Sequence, residues 1–325
     1  MKQENVFSSA IERFPADLGG NNKPGLIYAS NEARFTATNY NEPLTAYTVG
    51  WKDPENLEAL MEALFPSVEV SRRFEFKSAD NAEAFLTEDD DARAIGSAFK
   101  RVETKGTSVN AKTINRGLTL RVDKDDVLGD NWRQQKVSWL IARLMRNEFK
   151  RSIAILDAAA TNAGKTWNAA SNPDGDIRAA LKLGADKSGI RPNRVIFGEA
   201  AMDLRMDVFE AQNTPYAGRA ASMTKAELAA KYMVDLVEVV KARYQSTATD
   251  KAAIVPSVVY AYLAYNGVDK DDASNFKRFV SPTQQGTRLA VYVEEFTKFV
   301  DLSVEAYSAP TITSTLGIRK ITASA

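Results

Sequence analysis

The side chains that could do chemistry in this chain are acids, amines and hydroxyls, because it contains neither histidine nor cysteine. Without imidazole, the commonest general base near neutral pH and the commonest metal ligand are both missing. Serine-histidine triads and histidine-containing zinc sites are excluded. Without thiols there are no disulfides, no thiolate metal sites and no cysteine nucleophile. Three groups remain to be weighed. Gly164-Lys165-Thr166 invites a phosphate-loop reading, but that pattern needs a glycine five residues before the Gly-Lys pair, where Ala159 stands. It also needs a strand leading in and a helix leading out. Here a helix leads in, and Gly164 reads as its stop. Glu88-Asp89-Asp90-Asp91 offers oxygen ligands to a divalent cation, without the spaced pattern of an EF-hand; a solvated charged face is the simpler reading. Arg143, Arg146, Lys150 and Arg151 form a basic stripe that could face nucleic-acid phosphates or pair within the helix with acids such as Glu148. No catalytic, cofactor-binding or metal-ligating set is assigned, and no cofactor is expected.

The elements that must position these groups belong to a chain of 325 residues, long enough for two or more subdomains. Lys plus Arg equals Asp plus Glu, 42 against 42, so the overall basic excess of a dedicated nucleic-acid binder is missing. Near-zero net charge also weakens repulsion between copies and permits dense self-association. The N-terminus, MKQENVFSSAIERF, lacks the apolar core of a signal peptide, and no window is long and apolar enough to span a membrane. The expectation is a protein made and folded in a cytoplasm, with no membrane partner.

Residues 1 to about 50 read as an extended polar arm with one short helix near Ser9 to Arg13. Pro54 to Leu64 reads as a helix. Val68, Val70, Phe74 and Phe76 alternate with polar residues as a strand, interrupted on the apolar side by Arg72. Leu118, Leu120 and Val122 alternate in the same way. A ribbon of two such strands with a long polar tip buries too little to stand alone, and its edges invite pairing with another chain. Asp130 or Asn131 caps a long helix running to about Ala163, with Val137, Leu140, Ile141, Leu144, Phe149, Ile153 and Leu156 as its apolar stripe. At 1.5 Å per residue that helix is about 45 Å long. Asp174 or Asp176 caps the next helix, whose buried face carries Ile177, Ala180 and Leu181. Gly189 and Pro192 then turn the chain into a buried strand from Val195 to Phe197. Helices from Glu199 to Phe209 and Thr224 to Met233 follow. Strands are expected from Leu236 to Val240, Val258 to Tyr265, Leu289 to Val293 and around Val300 to Ala306.

The stretch from Asn172 to Gly198, NPDGDIRAALKLGADKSGIRPNRVIFG, together with the long charged helix before it, resembles the major capsid proteins of tailed phages. Ala92-Arg93-Ala94-Ile95-Gly96 resembles a turn common in the extended loop of that family. The resemblance covers nearly the whole chain. It implies an α+β Hong Kong 97-type fold, in which an N-terminal arm (1–45) precedes a peripheral domain with a spine helix (46–67, 119–175 and 300–325). An extended loop (68–118) and an axial domain (176–299) complete it. The function so implied is a non-enzymatic structural subunit that self-assembles as pentamers and hexamers into an icosahedral shell around phage double-stranded DNA. Scaffolding, portal and decoration proteins are the other implied partners, and the virion capsid, assembled in the host cytoplasm, is the implied location. On this reading Asp89, Asp90 and Asp91 meet arginines such as Arg72, Arg73 or Arg93 of an adjacent subunit. Tyr216 lies near a symmetry axis, and Arg143, Arg146, Lys150 and Arg151 are the candidates for facing DNA. An encapsulin-like compartment with an enzyme cargo shares the same fold and remains open, as does a carboxylate- or lysine-dependent enzyme with an α/β core.

Overall fold

The computed structural model describes residues 38–51, 55–78, 92, 98, 107–126, 129–212, 214, 216–267 and 269–325. The expected helix near Ser9 to Arg13, most of the arm and most of the loop between the ribbon strands lie outside the described residues.

Helix α1 (Glu42–Gly50) starts where Asn41 accepts a hydrogen bond from the Leu44 amide at 2.9 Å, with a proline in its first turn. Helix α2 (Leu57–Leu64) buries Leu57, Met61 and Leu64 on one face. The alternating run that follows is two strands. β1 (Ser67–Glu69) pairs in parallel with β11 (Phe276–Ser281), and β2 (Arg73–Lys77) pairs with β3 (Ser108–Lys112). The break falls at Arg72, the residue that interrupts the pattern, and its guanidinium lies 4.3 Å from the Tyr307 ring centroid.

The first sheet is organised by β13 (Phe299–Ile312). β4 (Ile114–Asp123) pairs antiparallel along one side of it; β11 and β12 (Leu289–Glu295) follow one another along the other. Helix α3 (Trp132–Ala159) buries Val137, Leu140, Ile141, Leu144, Met145, Phe149, Ile153 and Leu156, the stripe expected from helical spacing. It stops at Ala159, earlier than the sequence reading places it, and Asn131 makes no side-chain cap. Thr161–Thr166 is a strand, β5, parallel to β14 (Arg319–Ser324), so Gly164 is a strand residue and not a helix stop. Thr, Asn and Gly are weak helix formers, and pairing with the chain end satisfies the β5 backbone instead.

The second sheet runs β5-β14-β10-β6-β7, with β6 at Arg194–Gly198, β7 at Leu236–Val240 and β10 at Val258–Tyr262. The last strand, β14, therefore lies inside this sheet, between β5 and β10. Period-two alternation divides the sheet between two cores. Ile196, Val258, Tyr260 and Tyr262 join α3 and the first sheet in one cluster. Val195, Phe197, Val259, Ala261 and Ile321 join the helices α4 (Pro173–Ser188), α5 (Glu199–Ala211) and α7 (Lys225–Tyr232) in another. With both faces covered, β6 and β10 read as unbroken apolar runs. A short helix α6 (Ala217–Ala221) and a hairpin of β8 (Arg243–Gln245) and β9 (Lys251–Ala253) complete the chain. α7 carries a full capping box between Thr224 and Glu227 and ends at Met233 in the left-handed region.

Gly198 joins β6 to α5, and a Cβ there would stand 1.7 Å from the Pro256 carbonyl oxygen. Its φ of −69° is open to any residue, so the constraint is space alone. Gly198→Ala is expected to lower the free energy of unfolding in urea by about 3 kcal/mol, the upper range of overpacking costs. Gly164→Ala, with no atom within 4 Å of the new Cβ, should stay within about 0.5 kcal/mol of the parent.

Candidate assembly surfaces

The β2–β3 ribbon is fastened to its own subunit at the root. Phe74 and Phe76 lie 4.5 and 5.4 Å from the Phe279 ring, over Val68. The Thr113 and Ser281 hydroxyls are hydrogen-bonded at 2.9 Å. The outer edge of β2 is covered by a loop: the Lys77 amide donates to Asp271 at 2.6 Å, and Lys270 donates to the Glu75 carbonyl at 2.7 Å. The ribbon root is thus held without a neighbour, contrary to the expectation drawn from its polar composition. The reason is that the three phenylalanines come from two distant strands and form a small core that no local window reveals. Arg73, Phe74, Glu75, Asn110, Ala111 and Lys112 line an open depression of about 590 Å³ on the ribbon. Arg73 is exposed on its rim, and Arg72 sits on Tyr307. Asp89, Asp90, Asp91 and Arg93 lie outside the described residues.

The described end of the arm adds to the free edge of β12. Asn41 donates to the Val291 carbonyl at 3.0 Å, the Val293 amide donates to the Asn39 carbonyl at 2.8 Å, and Tyr40 packs edge-on against Tyr292.

Tyr216 is 80% exposed and directly precedes α6, in the segment joining α5 to α7. What holds that segment is a buried charge cluster that sequence reasoning missed. Asn172, and not an aspartate, caps α4 by accepting from the Gly175 amide at 3.0 Å. This frees Asp174, 1% exposed, for a different role. It accepts from Arg205 Nε at 2.7 Å and Nη2 at 3.1 Å, from the Tyr232 hydroxyl at 2.6 Å and from Lys231 at 2.5 Å. Arg205, itself fully buried, donates onward to the Ala220 carbonyl at 2.9 Å. At the other end of the segment, Gln212 donates to the Ser171 carbonyl at 2.9 Å. Burial pushes the Asp174 carboxyl up, but donation from Arg205, Lys231 and Tyr232 outweighs it and holds the group below the ordinary carboxylate range. Burial and the Asp174 charge push the Tyr232 phenol far above its usual value.

The basic stripe of α3 divides. Arg143 is exposed, with its guanidinium 5.4 Å from the Trp139 centroid, and Lys150 is exposed, with its ammonium 3.4 Å from the Tyr244 centroid. Arg146 is paired with Glu55. Arg151 is half-buried, and its Nε and Nη2 are enclosed without a partner; burial, with Arg116 nearby, draws its proton affinity down. Glu148 does not pair along the helix. It is buried and faces Arg278, 3.9 Å away, which is also bound by Glu62. Lys165 pairs with Asp176 at 3.1 Å from an edge strand, a setting that offers no phosphate loop. Among the described residues no group of three or more acids is placed to hold a metal ion, and no helix is long and apolar enough to cross a membrane.

No family profile matches the sequence, and no curated protein matches it. Solved structures do. A phage-related protein from Bordetella bronchiseptica RB50 is similar over 87% of this chain and 96% of its own, with a TM-score of 0.65 and 16% identity. The capsid of the Cyanophage P-SCSP1u matches 80% of this chain and 86% of its own at a TM-score of 0.48 and 9% identity. A virus-like particle from Pyrococcus furiosus matches 86% and 95% at 0.45 and 9%. The first of these likenesses, with the order of elements described above, defines the class: an α+β fold of the Hong Kong 97 phage-capsid type, as the sequence resemblance implies.

Asp174→Asn should destabilise the subunit by about 3–5 kcal/mol, because it leaves Arg205 buried beside a neutral amide. The sign with pH follows from the lowered carboxyl. The unfolded aspartate titrates near 3.9 and the folded one below that. The stabilisation is therefore complete above the unfolded value and is lost as pH falls through the folded one. Urea midpoints measured downward from neutral pH should converge for parent and variant in acid; a constant gap would mean that Asp174 is not the titrating partner.

Proposed function

We propose that this chain is the major capsid protein of a tailed phage, a structural subunit that closes into an icosahedral shell around double-stranded DNA. The observation that carries the reading is the Hong Kong 97-type fold across most of the chain, matched to a structure described as phage-related. That description favours a virion over a compartment with enzyme cargo. On this reading the first sheet with α1, α2 and α3 is the peripheral unit. The second sheet with α4 to α7 is the axial unit, and residues between β2 and β3 are the extended loop. Pentamers and hexamers form the lattice, with the virion capsid as location and the host cytoplasm as the place of assembly. Scaffolding, portal and decoration proteins would meet the outer or inner face of the shell.

The mechanism is burial repeated over copies. A standard interface buries about 1,200–2,000 Å², and a closed lattice engages several at once, so contacts that are weak singly become stable together. Tyr216, Arg72 and Arg73 stand exposed at the surfaces where such contacts would form, and the acidic run at Asp89, Asp90 and Asp91 would supply the complement to arginines of an adjacent copy.

Electron microscopy of the purified full chain is expected to show closed shells, and velocity sedimentation a particle of many subunits. A monodisperse monomer or dimer at assembly concentrations would overturn the reading. Replacing Asp89, Asp90 and Asp91 together by lysine should slow the rise in light scattering during assembly while leaving the unfolding midpoint of the subunit unchanged.

A further inference from the structure

The exposed side of α3 consists of Gln135, Lys136, Trp139, Arg143, Asn147, Lys150, Ala154 and Ala158. Lys136, Arg143 and Lys150 are spaced by seven residues, so they fall on nearly one line, about 10 Å from one to the next at 1.5 Å per residue. No acid lies between them on that line; the next position at the same spacing is Asp157, which ends the line and is itself engaged. The helix has two acids: Glu148 is buried towards Arg278, and Asp157 is held by Lys320 and Tyr260. Two acids of other elements that meet α3 are engaged as well, Glu55 by Arg146 and Glu295 by Arg133. Among the described residues Lys136, Arg143 and Lys150 have no carboxylate partner; Arg143 and Lys150 rest on the aromatic faces of Trp139 and Tyr244. At the Lys150 end the line meets the β8–β9 hairpin, where Lys251 is exposed opposite Gln245.

We propose that this face of α3, through Lys136, Arg143 and Lys150, binds the phosphate backbone of double-stranded DNA without reading its sequence. A line of uncompensated cations along a rigid helix complements a polyanion. Aromatic seating restricts two of the three side chains while leaving their N–H groups free to donate. The set differs from the stripe read in the sequence: Arg146 and Arg151 drop out, because the first is neutralised and the second is enclosed, and Lys136 enters. The inference deepens the shell reading and rests on it only in turning this face towards packaged DNA.

The test is fluorescence anisotropy of a short labelled duplex with the full chain held below the concentration at which shells form, titrated with salt. Three neutralised phosphates give a slope of about −2.7 in log affinity against log salt, which is about a 40-fold loss between roughly 50 and 200 mM. The triple variant K136Q/R143Q/K150Q should lose most of that slope. R143Q and K150Q alone should each reduce it by about 1, while R146Q/R151Q keeps it. A triple variant with the parental slope would overturn the proposal. So would a variant whose only defect is in shell formation, which would make the line a contact for an acidic segment of a second copy. Micrographs of the same proteins at assembly concentration separate the two readings. Intact shells with an unchanged slope sink this inference alone, whereas a parent that forms no shells sinks the capsid reading and leaves the binding result standing.

Discussion

One helix serving two sheets is the constraint on which the rest of the structure depends. The stripe of α3 that begins at Val137 and ends at Leu156 packs in a single cluster with Val300, Leu302 and Val304 of the first sheet and Val258, Tyr260 and Tyr262 of the second. A helix buried from two sides has little circumference left for solvent. What remains carries Lys136, Arg143 and Lys150, whereas Glu148 is turned inward to Arg278 and Asp157 is paired with Lys320. The Tyr262 hydroxyl donates to the Leu64 carbonyl at 2.7 Å, and Asp157 receives both Tyr260 and Lys320, so the second sheet is also tied by hydrogen bonds to α2 and α3.

Buried ions mark the joints between these layers. Arg278 is fully enclosed in β11 and is shared by Glu62 of α2 and Glu148 of α3. Asp174 gathers cations from α5 and α7. Such groups are costly to desolvate and add little net stability compared with apolar packing of the same shape. Their effect is on geometry: a carboxylate met by a guanidinium on two of its nitrogens tolerates few alternative positions of the helices that carry them. The segment that presents Tyr216 is fixed in this way, through Arg205 and Ala220, although Tyr216 itself touches none of the ions.

Much of the fold was legible in the sequence because its cores follow simple periods. The α3 stripe, the α4 face with Ile177 and Leu181, and the apolar strands β6 and β10 all announce themselves within one window. The elements missed are those in which the local pattern is overruled by distant partners. β5 is exposed at every position and exists through its pairing with the chain end. β11 carries two buried cations, Lys277 and Arg278, in mid-strand, which hides an otherwise apolar run. The role of Asp174 was illegible for the same reason. Its partners lie 31, 57 and 58 residues away, whereas the helix start beside it offered a local and mistaken explanation. For β11 the available hint was the pair Phe276 and Phe279 bracketing Lys277 and Arg278.

Neutrality of the chain is not neutrality of each of its faces. Acids and bases are equal in number, and among the described residues the cores enclose four of each, Glu148, Asp174, Asp301 and Glu305 against Arg194, Arg205, Lys277 and Arg278, so any local imbalance comes from where they sit. Asp174, Asp301 and Glu305 are almost fully buried and are met within the subunit: Asp174 by Arg205 and Lys231, Asp301 by Arg121, Glu305 by Tyr292 and Asn115. Such an acid leaves its own neighbourhood more basic where the cation that meets it stays outside, as Arg121 does for Asp301, and not where that cation is enclosed too, as Arg205 is. Glu305, met by a tyrosine and an amide, has its counterpart in Arg194, enclosed against the Asn266 side chain. Local fields therefore follow from where the enclosed residues sit: at α3, Glu148 is withdrawn into the core and the part-exposed Asp157 is paired with Lys320, which leaves Lys136, Arg143 and Lys150 without an acid of their own helix.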